Sequence, residues 1–416
     1  MDQSESVVAV IGLGYIGLPT AALLATHGVR VVGVDTDDGR VAAVNRGDLP
    51  FVEPELAEYL TRAVDAGNLI AQTQVPQASV HIIAVPTPFT ADRKADLSFV
   101  DAAVDAVAQR LTGGELVILE STSPPGTTER IAERVARARP DLPSDGLGVV
   151  DFVHAPERVL PGRIMVELVE NDRVIGGLSE DAAERAKWLY EHFSRGEFHL
   201  TTARTAEMVK LTENAYRDVN IAFANEMSVV AEQLGVNVWE LIRLANRHPR
   251  VSILSPGAGV GGHCIAVDPW FIAEAAPELT PLIRAARGVN DRKPKWVAER
   301  IVGLLGPRPG KIQVLGLTYK KDVDDLRQSP AVEVVERLAA NDLVSSVVVT
   351  DPHVTKMPES LAGHSRVELS TTLAVADDAD VLAVLVPHTA FEPMLEAFGS
   401  SSVLQRSVFY AERTRG

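Results

Sequence analysis

Cys264 is the only cysteine in a chain of 416 residues, and four glycines crowd the backbone ahead of it in Pro256-Gly-Ala-Gly-Val-Gly261-Gly262-His263-Cys264. Glycines let a chain wrap closely around a ligand, and a thiolate in such a loop can add to a carbonyl carbon and hold it covalently. Asp268, four residues on, can orient a water or accept a proton. A structural loop around a buried thiol fits the same residues, because a lone cysteine often packs as a small hydrophobe. Lys210, Asn214 and Arg217 recur at i, i+4 and i+7, so on a helix they share one face. A solvated polar face is the ordinary reading of such a set. Here the neighbours Val209, Leu211, Ile221 and Phe223 make the helix read as largely buried, and a buried ammonium must be paired or shifted in pKa. In Ala155-Pro-Glu157-Arg158-Val159-Leu-Pro-Gly162 an acid sits beside a base after a strand, either as site residues or as a loop ion pair.

A second kind of chemistry is written near the N-terminus. Gly12-Leu-Gly14-Tyr15-Ile16-Gly17 is G-x-G-x-x-G between an apolar run and a helical pattern, with Asp35 about 20 residues on at the end of the next run. The first glycine permits a turn, the second lets the backbone approach a pyrophosphate, and the third allows close helix–strand packing. Asp35 should accept from an adenosine ribose and repel a 2′-phosphate, favouring NAD over NADP, although Arg40 nearby is a residue type that accommodates that phosphate. Thr87 in Val85-Pro-Thr87-Pro and Thr122 in Glu120-Ser-Thr122-Ser follow two further strand signals. They stand where open α/β sheets bind ligands, unless they merely cap helices.

The elements that must position these residues can be read from punctuation and period. Val7–Ile11, Val29–Val34, Val80–Val85, Leu116–Leu119 and Phe152–His154 are short apolar runs, with helical patterns such as Pro19–Thr26 among them. Continuous β-branched runs alternating with helices indicate a parallel sheet covered on both faces. Thr205–Leu234 then reads as one long helix, Val238–Asn246 as a second, and Gly306-Pro-Arg-Pro-Gly310 as a linker. Strand and helix signals resume at Ile312–Leu315, Ala331–Ala340, Val347–Thr350 and Val381–Val386, with Ser329 and Pro330 as N-cap and N1. Val314-Leu-Gly-Leu-Thr-Tyr319 echoes Val10-Ile-Gly-Leu-Gly-Tyr15, and Asp351 stands to one as Asp35 stands to the other. The second copy lacks the later glycines, so it should bind something other than a dinucleotide. Lys320, Lys321 and Arg327 beside Tyr319 suit a phosphate-bearing ligand, with an exposed charged turn as the competitor. The expected class is α/β: two Rossmann-like doubly wound parallel-sheet domains joined by a central helical domain with one long helix. The boundaries fall at 1–200, 201–305 and 306–416.

Composition bounds the partners. A net charge of −16 argues against nucleic acid and anionic membranes, and no run approaches the roughly 18 apolar residues of a membrane span. Met-Asp-Gln-Ser-Glu-Ser is not the basic, then apolar start of a secretion signal, and one cysteine excludes an intramolecular disulfide or a cysteine zinc cluster. The expected location is the cytoplasm, and no metal is expected.

Taken together, these segments resemble the UDP-glucose/GDP-mannose dehydrogenase family along nearly the whole chain. The resemblance is carried by Ile11–Thr20, Glu120–Ser123, Pro156–Gly162, Arg204–Glu226, Val238–Val251, Gly259–Phe271 and Asp324–Ala331. It implies a homodimeric cytoplasmic enzyme of surface polysaccharide biosynthesis that performs a four-electron oxidation with two NAD per turnover. The N-terminal domain would bind NAD, the central one would dimerise, and the C-terminal one would bind a UDP-sugar. By the same matching Cys264 is the nucleophile that passes through a thiohemiacetal and a thioester. Lys210 serves proton transfer, Asp268 helps activate water, and Glu157 serves thioester hydrolysis. Arg158, Val159, Lys210, Asn214, Arg217, His248, Arg250, Gly261, Tyr319 and Lys320 match substrate contacts, with Arg250 a candidate to reach across the dimer. Gly12, Gly14, Tyr15, Ile16, Gly17, Asp35, Arg40, Thr87, Thr122 and Arg327 fall to the cofactor. The loop departs from the glucose-specific pattern at His263 and at Ile265-Ala266-Val267. This resembles the branch acting on N-acetylated hexosamines, and Ala266, Val267 and Trp270 favour UDP-N-acetyl-D-mannosamine, oxidised at C6 to the uronate. UDP-N-acetylglucosamine and UDP-glucose are the alternative substrates. A two-electron alcohol dehydrogenase with a structural Cys264 and a binding protein without turnover are the rival functions.

Overall fold

Leu116-Val-Ile-Leu119 shows why the strand signals are apolar runs. All four residues are buried, Leu116 and Ile118 in one core cluster and Val117 and Leu119 in another. A strand covered by helices on both faces is apolar at every position, where a half-solvated one would alternate.

The computed structural model describes residues 7–411 apart from 52, 54, 91, 147, 161, 263, 377 and 401–406. His263 and the acidic N-terminal residues thus lie outside the described residues. The chain divides into two compact units, Met1–Glu213 with Trp270–Pro277, and Asn214–Pro269 with Glu278–Gly416.

The first unit carries strands β1 (Val7–Ile11), β2 (Arg30–Val34), β3 (Leu69–Gln72), β4 (Val80–Ile83), β5 (Leu116–Leu119), β6 (Asp151–His154), β7 (Arg173–Gly177) and β8 (Phe198–Thr202). They form one sheet in the order β3-β2-β1-β4-β5-β6-β7-β8. Neighbours are parallel except β6 and β7, which meet antiparallel at Val153–Gly177 and His154–Gly176. Apart from that one pair the sheet is parallel as expected, and such mixed sheets are common. The strand order reverses between β1 and β4, which opens a crevice beyond their C-terminal ends, where ligands of doubly wound sheets bind. Helix ends are capped locally and at a distance. Ser179 accepts from the Ala182 amide at the start of Glu180–Tyr190. Glu207 accepts from the amides of Gly126 (2.6 Å) and Thr128 (2.8 Å) at the start of Thr127–Ala138.

The long helix is Ala203–Gln233, two residues earlier at its start than the sequence suggested. In the second unit its inner face is polar. Asp218 accepts from Arg287 (2.7 Å) and Asn290 (2.8 Å), Asn225 donates to Asn290 (2.9 Å), and Ser228 meets Lys293. Its other face exposes Tyr216, Phe223 and Val230. The expectation of a largely buried helix therefore holds for Leu211 but fails at Phe223. The second sheet is parallel throughout: β9 (Gly310–Leu315), β10 (Val344–Thr350), β11 (Val367–Ser370), β12 (Val381–Val384) and β13 (Ser407–Tyr410), in the order β11-β10-β9-β12-β13. Ser329 caps the helix Pro330–Ala339 as read, its Oγ accepting from the Ala331 amide. Among the described residues no helix is long and apolar enough to cross a membrane.

Candidate active site

The three glycines after β1 do three different things. Gly12 has φ +96°, and a Cβ there would lie 2.5 Å from the Ala84 carbonyl oxygen, so the turn needs glycine twice over. A Cβ on Gly17 would lie 1.9 Å from the Gly12 oxygen, which fixes the helix against the strand. A Cβ on Gly14 would meet nothing within 4 Å. That open side is where a pyrophosphate can approach the backbone. No side chain caps the helix Gly17–Thr26 and its first turn carries no acid, leaving the positive end of the helix dipole to an anion. At the end of β2, Asp35 accepts from the amides of Leu13 (2.9 Å) and Asp37 (3.0 Å) and pairs with Arg40 (2.9 Å). Burial raises its pKa, but the amide bonds and Arg40 outweigh it and hold the carboxyl below the usual range. Tyr15 is half-buried, its ring 4.2 Å from that of Phe51. Thr87 and Thr122 lie on the loops after β4 and β5, and neither is a helix cap, since the next helices start from Leu97 and Gly126. These residues fit a dinucleotide.

Beyond β6 the loop carries Glu157, Arg158 and Val159 into a small cleft that they line with Glu167, Asn171 and Arg173. Arg158 reaches Glu213 (2.8 Å) and the Asp172 carbonyl, while Glu157 is buried against Arg173. The acid beside a base is therefore not an ion pair of adjacent residues. Each takes a partner from elsewhere.

The second unit carries the cysteine loop. Its glycines are set by what they touch: a Cβ on Gly261 would lie 2.4 Å from the Gln328 oxygen, and one on Gly262 would lie 2.7 Å from the Tyr319 ring. Asn225 accepts from the Gly257 amide (2.9 Å). Cys264 is exposed, against the reading of a buried structural thiol. Its carbonyl accepts from the amides of Val267 (3.0 Å) and Asp268 (2.9 Å), so the thiol and the Asp268 carboxylate are tied by a single helical turn. Asp268 opens the helix Asp268–Ala275, where the helix dipole favours a negative charge. Its Oδ2 accepts from Asn214 Nδ2 at 2.6 Å. Two residues far apart in sequence are thereby joined one backbone turn beyond Cys264. Lys210, one turn before Asn214 on the long helix, is also buried. Arg217, His248 and Arg250 are exposed.

Residues 6–194 match the NAD binding domain of the UDP-glucose/GDP-mannose dehydrogenase family, residues 204–292 its central domain, and residues 313–410 its UDP binding domain. The chain belongs to this family. A UDP-N-acetyl-D-mannosamine dehydrogenase of Yersinia pestis is 50% identical, over 94% of this chain and 95% of its own. An NDP-N-acetyl-D-galactosaminuronic acid dehydrogenase of Ralstonia nicotianae is 49% identical, over 95% and 93%. The solved structure of a UDP-D-ManNAc dehydrogenase from Pyrococcus horikoshii superposes with a TM-score of 0.87 at 40% identity, covering 98% of this chain and 95% of that one.

As a member of the UDP-glucose/GDP-mannose dehydrogenase family the chain is an NAD-dependent nucleotide-sugar dehydrogenase. Its UDP binding domain repeats the turn of the NAD binding domain and then diverts it. The Gly12 amide donates to Val34, and the Gly316 amide to Thr350. The Leu13 amide donates to Asp35, and the Leu317 amide to Asp351 (2.7 Å). In the second copy, however, the buried His388 takes the place of Arg40, its Nε2 donating to Asp351 (3.0 Å). Thr318 and Lys321 stand where the later glycines would be. Tyr319 and Lys320 are half-buried on this turn, and the Arg327 guanidinium donates to both carboxylate oxygens of Asp325 at 2.6–3.0 Å. Asp322, His353 and His388 bring ligand atoms within 4.8 Å of one another. His388 Nδ1 already accepts from the Asp322 amide (2.9 Å) and Nε2 is spent on Asp351, so this is a hydrogen-bond cluster.

Three residues escaped the sequence reading. Glu120, Arg173 and Tyr190 are buried around Glu157, and only Glu120 lay inside a segment that drew notice. Ala266, Val267 and Trp270, which pointed to the sugar, are buried, so they can shape the loop without offering groups to a ligand.

Proposed function

We propose that the enzyme oxidises UDP-N-acetyl-D-mannosamine at C6 to UDP-N-acetyl-D-mannosaminuronate through a covalent Cys264 intermediate. The observation that carries this is the tie between Cys264, Asp268 and Asn214, which sets an exposed thiol one helical turn from a hydrogen-bonded carboxylate. Bound NAD supplies the hydride acceptor for both oxidations. The chain's own residues do the rest. As the first hydride leaves C6, the hydroxyl proton passes to the water that Asp268 orients, and Lys210 stabilises the negative charge that develops on the sugar oxygen. The Cys264 thiolate adds to the C6 aldehyde and retains it as a thiohemiacetal, so no reactive aldehyde escapes, and oxidation of that adduct leaves a thioester. Water, oriented by Asp268, adds to the thioester carbonyl and gives its proton to Glu157. The C–S bond then breaks, releasing the carboxylate and restoring the thiolate.

Gly12, Gly14, Tyr15, Ile16, Gly17, Asp35, Arg40, Thr87, Thr122 and Arg327 are assigned to NAD. Arg158, Val159, Asn214, Arg217, His248, Arg250, Gly261, Tyr319 and Lys320 are assigned to the UDP-sugar. The organisation into an NAD-binding segment (1–200), a central segment (201–305) and a UDP-sugar-binding segment (306–416) is supported by the three family matches, one of which falls inside each. The mannosamine epimer is favoured by the name of the Yersinia pestis relative, though one named for a galactosaminuronic acid stands within a percentage point of it. A thiolate nucleophile must stay reduced, and with NAD and an activated sugar as its reactants the enzyme is placed in the cytoplasm. Tyr216, Phe223 and Val230, at i, i+7 and i+14 on one face of the long helix, support a homodimer built on that stripe.

The test is the NADH formed per sugar at exhaustive turnover. About two equivalents from UDP-N-acetylmannosamine, and little from the glucosamine, galactosamine and glucose analogues, are expected from a four-electron cycle. Cys264→Ser should abolish net turnover. One equivalent with accumulating aldehyde, or a Cys264→Ser enzyme that still turns over, would establish the two-electron reaction instead.

A further inference from the structure

Behind Glu157 lies a second carboxylate that the mechanism does not use. Glu120 follows β5, Glu157 follows β6, and these strands are neighbours in the sheet. Both acids are buried, at 3% and 8% exposure. Arg173, at the start of β7, is buried with them and ion-pairs with Glu157. Its guanidinium lies 4.2 Å over the ring of Tyr190, whose hydroxyl donates to Glu120 Oε1 at 2.6 Å. Thr20 Oγ1 stands 3.5 Å from Glu120 Oε2. Two carboxylates thus face one buried cation, and a second anion there would be uncompensated.

We propose that Glu120 is a positioning residue for the reaction: through Tyr190 it reserves Arg173 for Glu157, and so fixes Glu157 as the anionic base that takes the proton of the hydrolytic water. Burial, and then repulsion from Glu157, push Glu120 up to about 8 against its bond from Tyr190 and the charge of Arg173. Near pH 7 it is therefore the neutral member of the pair, its acid proton able to sit on Oε2 toward Thr20. Glu157, Arg173 and Tyr190 are the titratable groups that face it, with Thr20 as an uncharged partner. The inference rests on Glu157 being the hydrolytic base.

The experiment is a pH profile of kcat, with intact-mass detection of acyl-enzyme, for Glu120→Ala, Glu120→Gln and Glu157→Gln in the full-length enzyme. Above about pH 8 the wild type should lose activity as Glu120 ionises and competes for Arg173. Glu120→Gln keeps a neutral side chain with similar hydrogen bonds and should lack that inflection. Glu120→Ala should lower kcat by about tenfold or more and accumulate acyl-enzyme, with the sugar KM within about twofold, and Glu120→Gln should recover most of the loss. An unchanged inflection in Glu120→Gln overturns the proposal, as does a folded Glu120→Ala with wild-type kcat. If Glu120→Ala does not fold, the Glu120→Gln profile decides alone. Glu157→Gln separates the two levels: acyl-enzyme that accumulates upholds Glu157 as base whatever Glu120 does, and its absence overturns that role itself.

Discussion

Asp35 commits much of its carboxylate before a ligand arrives. Oδ2 takes the Leu13 amide and Arg40, and Oδ1 takes the Asp37 amide. A carboxylate offers about four acceptor positions, so it can still receive a ribose hydroxyl while three donors hold it in place. Arg40 is drawn onto Asp35, which answers the question the sequence left open: the arginine of a type that accommodates a 2′-phosphate is paired with the acid that repels one. Asp35→Asn removes the repulsion and loosens Arg40 together. It should lower kcat/KM with NAD by about tenfold and raise the NADP:NAD ratio by a similar factor. Cofactor titration at saturating sugar checks this, and an unchanged ratio would mean that Asp35 does not read the ribose. The contrast with Asp351 sharpens the point. The same acid on the same kind of turn, once capped by His388, is structural.

Elements decide whether such residues are well aimed, and here the long helix works on two faces. Its inner side chains Asp218, Asn225 and Ser228 meet Arg287, Asn290 and Lys293, and Asn225 also accepts from Gly257 at the root of the cysteine loop. Asn225→Ala would leave the Gly257 amide and the Asn290 oxygen unmatched in a buried setting, at a cost of about 1–3 kcal/mol. Because the lost bond anchors the loop, kcat and the rate of Cys264 alkylation should change while the NAD KM stays put. Chemical denaturation and iodoacetamide kinetics measure the two effects separately. None of this ladder was legible in the sequence, where Asp218, Asn225 and Ser228 carry no local mark that tells a buried polar face from a solvated one. What was legible were elements whose pattern is their own: Val7–Ile11 and Leu116–Leu119 have the expected bounds because strands buried on both faces are apolar throughout. Missed strands lacked that signature. Arg173–Gly177 mixes an arginine with two glycines, and Phe198–Thr202 at the sheet edge is partly exposed. The glycine turn and the cysteine loop announced themselves through dense local spacing. Arg173 and Tyr190 reach Glu157 and Glu120 through the fold, from positions with no local mark in the chain.

At the scale of the whole molecule the question is what covers the outer face of that helix. Tyr216, Phe223, Val230 and Leu234 are exposed at 66%, 48%, 41% and 70%, and Leu241 and Leu244 add to them from the next helix, Val238–Ala245. Large apolar residues aligned in a stripe are rare on a monomer's surface and ordinary in an isologous interface, where the same patch meets itself. Tyr216→Glu combined with Phe223→Asp should therefore halve the mass seen by sedimentation while leaving the fold intact by circular dichroism. Exposed Arg250, just beyond that second helix, allows a stricter test. If it completes the partner's site, Arg250→Ala and Cys264→Ser are each inactive alone but complement when mixed. A mixed dimer then holds one site with a thiol from one chain and an arginine from the other, and random exchange of equal amounts should restore about a quarter of wild-type activity. Were Arg250 to serve its own chain, every site in the mixture would lack one group or the other, and mixing would restore nothing.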